Sequence, residues 1–193
     1  DVERGLGMSA AAPTLGVIML CHTALDRAAQ VARFWLDAGV AVALHIDSAV
    51  PQAQVEAMQR DLGAHPLLRM VPRHRCDWGS WTIVAASQSA ADLLLRDFGS
   101  IGHVVLTSGA CLPLRPASEL LSHLRANEGT DFIESVAVDH ADWITGGLSR
   151  ERFTLYFPFS WRKQRWLFDR AVDLQRRWGV AREIPRPLEP HMG

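Results

Sequence analysis

Four clusters of residues carry groups that can do chemistry. Residues 103–114 run from an apolar stretch into Ser108, Gly109 and Cys111. Cys21 and His22 follow a second apolar run that includes Leu20, and His45 and Asp47 close a third. A short elbow of small residues after a strand lets backbone approach a ligand closely. An acidic residue at the end of a second strand can accept hydrogen bonds from ribose hydroxyls. Asp47 serves equally well as a turn former or helix cap. His22 and His45 read first as structural histidines. Cys111 has no histidine partner fixed by the local sequence, so nucleophilic catalysis does not follow from it.

The fourth cluster, Arg75-Cys76-Asp77-Trp78-Gly79-Ser80-Trp81, stands directly before an Ala-rich helix. Ser80 as N-cap leaves free N–H groups at a positive helix end, which can meet an anionic diphosphate. Trp78 and Trp81 on either side of Gly79 suit stacking on a base or a sugar face, although Trp81 reads more plainly as a core residue. Glu134 can bind a sugar hydroxyl or act as an acid or base, and its plain reading is a solvated carboxylate. No Asp-x-Asp follows a strand, and GxGxxG, GxxxxGK[ST] and HExxH are all missing. No metal is expected, and charge neutralisation falls to Arg or Lys.

Alternating strands and helices must position these groups. Strands are expected at residues 15–20, 40–46, 67–71, 104–106 and 131–134. Helices are expected at 25–38, from Pro51 to a stop at Gly63, at 81–98 and at 116–126. That alternation belongs to an α/β fold with a mainly parallel sheet. Residues 139–160 lose periodicity, as a functional loop does. Residues 161–178 then read as a basic, aromatic helix bearing Arg162, Lys163, Arg165, Arg170, Arg176 and Arg177.

The 193 residues, 48% hydrophobic, suffice for one core. Residues 14–193 are expected to form one domain, with 1–13 a disordered leader or tag remnant. A net charge of −1 gives no case for nucleic acid. No apolar run reaches the roughly 20 residues of a membrane span. Three widely spaced cysteines predict neither a disulfide framework nor a zinc site, and suit a cytoplasmic protein. Between Trp161 and Trp178 a solvated helix face with buried tryptophans is the plain expectation. A peripheral contact with an inner membrane is the alternative use of such a helix.

Five ordered segments share one resemblance: Val17-Ile18-Met19-Leu20-Cys21-His22, Leu44-His45-Ile46-Asp47, Trp78-Gly79-Ser80-Trp81-Thr82-Ile83-Val84-Ala85, Leu106-Thr107-Ser108-Gly109-Ala110-Cys111-Leu112-Pro113-Leu114, and Asp131-Phe132-Ile133-Glu134. Together they resemble the core-2/I-branching β-1,6-N-acetylglucosaminyltransferases and the related peptide O-xylosyltransferases. The resemblance implies a GT-A-like, doubly wound fold with helices on both faces of the sheet. It also implies inverting, metal-independent transfer of a sugar, N-acetylglucosamine by the family's habit, from a UDP-sugar to a hydroxyl of an acceptor glycan. The product would be a surface glycan of bacterial type.

By the same resemblance Leu20, Cys21, His22 and Asp47 would line the uridine and ribose site, with Trp78, Gly79 and Ser80 nearby. Ser108, Gly109 and Cys111 would flank the donor sugar, and Glu134 would hold an acceptor hydroxyl. The chain departs from the family pattern at Cys111, where an Asp is usual, and at Leu112, where an aromatic is usual. The family's general base lies in a later Asp-Glu pair, so it is expected beyond Gly193, and this chain alone is expected to turn over little. The alternative expectation is a non-catalytic nucleotide- or glycan-binding module of the same fold.

Overall fold

The computed structural model describes residues 12–77, 79–140 and 148–192. The chain divides after Thr130 into two compact units. The first is built on a four-stranded sheet of β1 (Leu15–Cys21), β2 (Ala41–Ile46), β3 (Leu68–Met70) and β4 (His103–Ser108), in the order β3-β2-β1-β4. All three pairings are parallel, and Leu20 lies opposite both His45 and Ser108. The expected doubly wound α/β architecture is therefore present.

The two central strands are almost wholly buried, which is why they read as unbroken apolar runs rather than alternating ones. Leu15, Val17, Met19 and Cys21 of β1 face α1 (Leu25–Asp37), α2 (Gln52–Leu62) and α4 (Ala117–Ala126) in one core. Ile18, with Ala41 and Ala43 of β2, faces α3 (Trp81–Asp97) through Ala90 and Leu94 in another. Helix α1 buries Leu25, Ala28, Ala29, Val31, Ala32, Trp35 and Leu36 along one stripe. Gly39, at φ 76°, takes the left-handed turn that releases the chain from α1 into β2. Strand β4 pairs with β1 on one side, and no described strand adjoins its other side. Its Val104, Leu106 and Ser108 are exposed in alternation.

The second unit contains β5 (Val136–Ala137), α5 (Glu151–Thr154), α6 (Arg165–Trp178) and β6 (His191–Met192), with β5 and β6 antiparallel. Four expectations are corrected here. Residues 131–134 form no strand: they are irregular and pair with no ladder, and Phe132 and Ile133 are exposed. Helix α6 starts at Arg165 rather than Trp161, because residues 161–163 form a turn ahead of the cap at Gln164. Its tryptophans are not buried: Trp166 is 68% and Trp178 70% exposed. In the first unit Trp81 likewise stands 69% exposed and contributes nothing to the core.

Candidate functional site

The sheet order reverses between β1 and β4, since β2 and β3 lie to one side of β1 and β4 to the other. In open α/β sheets ligands bind beyond the carboxyl ends of strands at such a switch point. The residues that follow β1, β2 and β4 meet at this edge. Asp47 N–H donates to the Cys21 carbonyl at 2.9 Å, and Gly109 N–H donates to the Leu20 carbonyl at 3.0 Å. The strand-end clusters thus share one rim of the sheet.

A cleft of about 470 Å³ opens at the β1 and β2 ends of that rim, lined by His22, Thr23, Ala24, Asp47, Arg75 and Cys76 among others. Asp47 organises it. Its Oδ1 accepts the Ala49 N–H at 2.7 Å and its Oδ2 accepts the Cys76 N–H at 2.9 Å. Burial opposes ionisation of Asp47, but these two backbone donors, with Arg75 beside them, outweigh it and hold the carboxyl below its ordinary value. The carboxylate is therefore turn former and loop anchor at once. Ala24, at the other wall, sits at φ 47° and ψ 53°, a conformation that costs a non-glycine residue energy. This sharp turn ends β1's loop and lets α1 begin at once.

Two residues that local sequence did not single out fix the loop after β3. The Arg73 guanidinium donates to the carbonyls of Ile46, Asp47 and Val50 and to Gln52 Oε1, tying the end of β2 to the start of α2. His74 N–H donates to Nε2 of the buried His45 at 3.3 Å, and its own Nε2 meets the Thr82 carbonyl at 3.1 Å. The signal for both was the basic run Arg73-His74-Arg75, which falls in the irregular segment between β3 and α3. His45 takes the structural role expected of it. His45, His74 and Cys76 bring possible ligand atoms to within 4.8 Å of one another. A zinc ion with bonds of about 2.0–2.3 Å needs its ligands roughly 3.5 Å apart, so the trio would have to contract to hold one.

Ser80 caps α3 as expected, its Oγ accepting the Thr82 N–H at 3.4 Å and donating to the Asp77 carbonyl at 2.7 Å. Gly79, at φ 76°, supplies the left-handed step before it. Trp78 lies outside the described residues. At the end of β1, His22 is exposed in the cleft, whereas Cys21 is buried, Leu20 is half-buried, and neither of these two lines it.

The β4 residues lie on the other side of β1 and do not line the Asp47 cleft. Gly109 is buried, and a Cβ there would stand 2.8 Å from Cys21 Sγ and 3.0 Å from the Ala28 Cβ. Its smallness serves internal packing. Ser108 and Cys111 are exposed, with Ser108 Oγ 3.2 Å from Cys111 Sγ. Cys111 lines a second cleft of about 580 Å³, walled by Trp35, Val105, Leu112, Leu114 and Leu120. That cleft is larger and mainly apolar, with Thr107, Arg115, Glu119 and His123 also lining it, whereas the Asp47 cleft is lined about equally by polar and apolar surface and is the better match to a nucleotide. Glu134 belongs to the second unit, where it is exposed in an irregular segment.

The sequence matches the model of the Core-2/I-Branching enzyme family over residues 22–178, most of the chain. The chain belongs to this family. Branching-enzyme membership makes it a glycosyltransferase domain in general terms, with a nucleotide-sugar donor and a glycan acceptor. No curated protein matches the chain. Among the described residues of this branching-enzyme chain, no helix is long and apolar enough to cross a membrane.

Proposed function

We propose that the chain binds a UDP-sugar at the switch-point rim and contributes to inverting, metal-independent transfer of N-acetylglucosamine to a hydroxyl of an acceptor glycan. One observation carries the reading. The ends of β1 and β2 and the loop after β3 enclose a polar cleft in which an anchored carboxylate faces an exposed arginine. Backbone and His22 would receive the uridine and ribose beside Asp47. Arg75, held only loosely by Asp77 at 4.0 Å, would turn toward the diphosphate. The N-terminus of α3, just beyond this loop, adds partial positive charge. Each oxygen of Asp47 accepts one N–H group and keeps a further lone pair for a ribose hydroxyl. Ser108 and Cys111 would face the donor sugar.

The test is thermal shift and calorimetry with UDP, UDP-N-acetylglucosamine, UDP-xylose and UDP-glucuronate in EDTA. A bound donor at a hundredfold excess over Kd adds about 2.7 kcal/mol of stability. Arg75→Ala, an exposed substitution that leaves folding intact, should weaken UDP binding about tenfold or more. Failure of every nucleotide to bind, or binding that requires a divalent cation, would defeat the reading. A second reading, a binding module without catalysis, is favoured by the exposed thiol of Cys111 at the position where the family resemblance calls for a carboxylate. It predicts the same UDP affinity with no sugar hydrolysis or transfer.

A further inference from the structure

We propose that the outer face of α6 docks on the surface of an anionic phospholipid bilayer. Trp166, Arg170, Leu174, Arg177 and Trp178 fall at spacings of 4, 8, 11 and 12 residues, one stripe of an α-helix. All five are exposed, while Phe168, Ala171, Val172 and Gln175 of the opposite stripe are buried or half-buried. An ordinary amphipathic helix would put lysine and glutamate on that outer stripe. Here it carries two large indoles with 68% and 70% of their surface in water. A row of exposed apolar side chains rimmed by arginines marks an interaction surface.

Charge identifies the partner. Residues 161–182 contain seven Lys or Arg against two Asp, while the whole chain has 20 basic and 21 acidic residues. The rest of the protein is therefore acidic, and the positive charge is concentrated here. The carboxylates of this region are already answered: Asp169 by Arg165, and Glu151 and Asp173 by Arg176. Among the described residues Lys163, Arg170 and Arg177 have no carboxylate partner. Arg170 lies over the Trp166 ring at 5.6 Å, and Arg165 over the Trp161 ring at 5.1 Å. An indole paired with a guanidinium matches the bilayer interface, where the ring sits at headgroup level and the cation meets lipid phosphate. Nucleic acid would also answer the charge. Stacking on bases, however, calls for a groove that tracks a strand, whereas this stripe lies along one convex helix face.

The full chain is to be sedimented with phosphatidylcholine vesicles with and without phosphatidylglycerol. Binding is expected with the anionic vesicles alone, and should be lost between about 0.05 M and 0.5 M salt as screening shortens. Arg170→Glu with Arg177→Glu should lower the partition coefficient about tenfold or more. Trp166→Ser with Trp178→Ser should abolish quenching of tryptophan fluorescence by brominated lipid. Circular dichroism checks that each variant folds, and the exposed positions make folding the expected result. Absence of binding to anionic vesicles, equal binding to neutral ones, insensitivity to both pairs of substitutions, or binding of an oligonucleotide in place of vesicles would each overturn the proposal. UDP binding is measured in parallel, since the proposal stands or falls independently of the nucleotide cleft.

Discussion

A thiol reacts as its thiolate and only where reagents can reach it, and the three cysteines differ in both respects. Burial pushes the Cys21 pKa up to about 12. Cys76 is also raised, by burial first and then by the nearby Asp47 and Asp77. Cys111 is exposed, and hydrogen bonds from the Ser108 side chain and then its backbone lower its pKa. Iodoacetamide should therefore modify Cys111 first and Cys21 last in the native protein, and Ser108→Ala should slow Cys111, as read by peptide mass mapping. Faster labelling of Cys76 than of Cys111 would contradict this. His45 governs a different response. Burial, then the neighbouring His74, lowers its pKa below the ordinary 6.5. As pH falls, the unfolded chain takes up this proton first, so the stabilising effect of neutral His45 is complete above about pH 6.5 and drains away below it. Urea unfolding across about pH 5 to 7 should show that slope, and His45→Gln should flatten it relative to the parent protein. An unchanged slope in the variant would assign the effect elsewhere.

Among the elements, the elbow after β4 shows how close packing can resemble a binding motif. Ser-Gly-Ala after a strand suggests access for a ligand, yet Gly109 spends its missing side chain on Cys21 and Ala28. Gly109→Ala should cost about 1–3 kcal/mol through overpacking, measured by denaturant midpoint, with nucleotide affinity retained in the folded fraction. A neutral substitution would show that β1 and α1 yield more easily than the contact distances suggest. Elements that bury a repeating face were legible in the sequence. β1, β2, α1 and α3 appeared within one or two residues of their bounds because the apolar pattern is local. Residues 131–134 misled for the opposite reason. Phe132-Ile133 has strand propensity, but a strand exists only where a neighbour accepts its ladder, and sequence spacing does not reveal that neighbour. Trp81, Trp166 and Trp178 misled because size alone suggested burial. The Asp47 cleft was half legible: Asp47 and His22 stood out at strand ends, whereas the Arg73 and His74 contacts span more than twenty residues and arise only on folding.

At the scale of the whole molecule, alternation of strand and helix foretold a parallel sheet but not which edge β4 would join. The order β3-β2-β1-β4 decides that, and with it the position of the rim where the chemistry-bearing residues gather. Charge is equally non-local: a net value near zero concealed an acidic body and a basic helix. The outer side of β4 has a consequence of its own. A parallel strand that pairs on one side only among the described residues, and whose Leu106 is 55% exposed, can template an extended peptide that meets it. Concentrated solutions should accordingly show scattering that grows with time, and Leu106→Lys should suppress it without altering the secondary structure seen by circular dichroism. Colloidal lifetime, more than thermal unfolding, would then set how long the isolated chain stays usable at the bench.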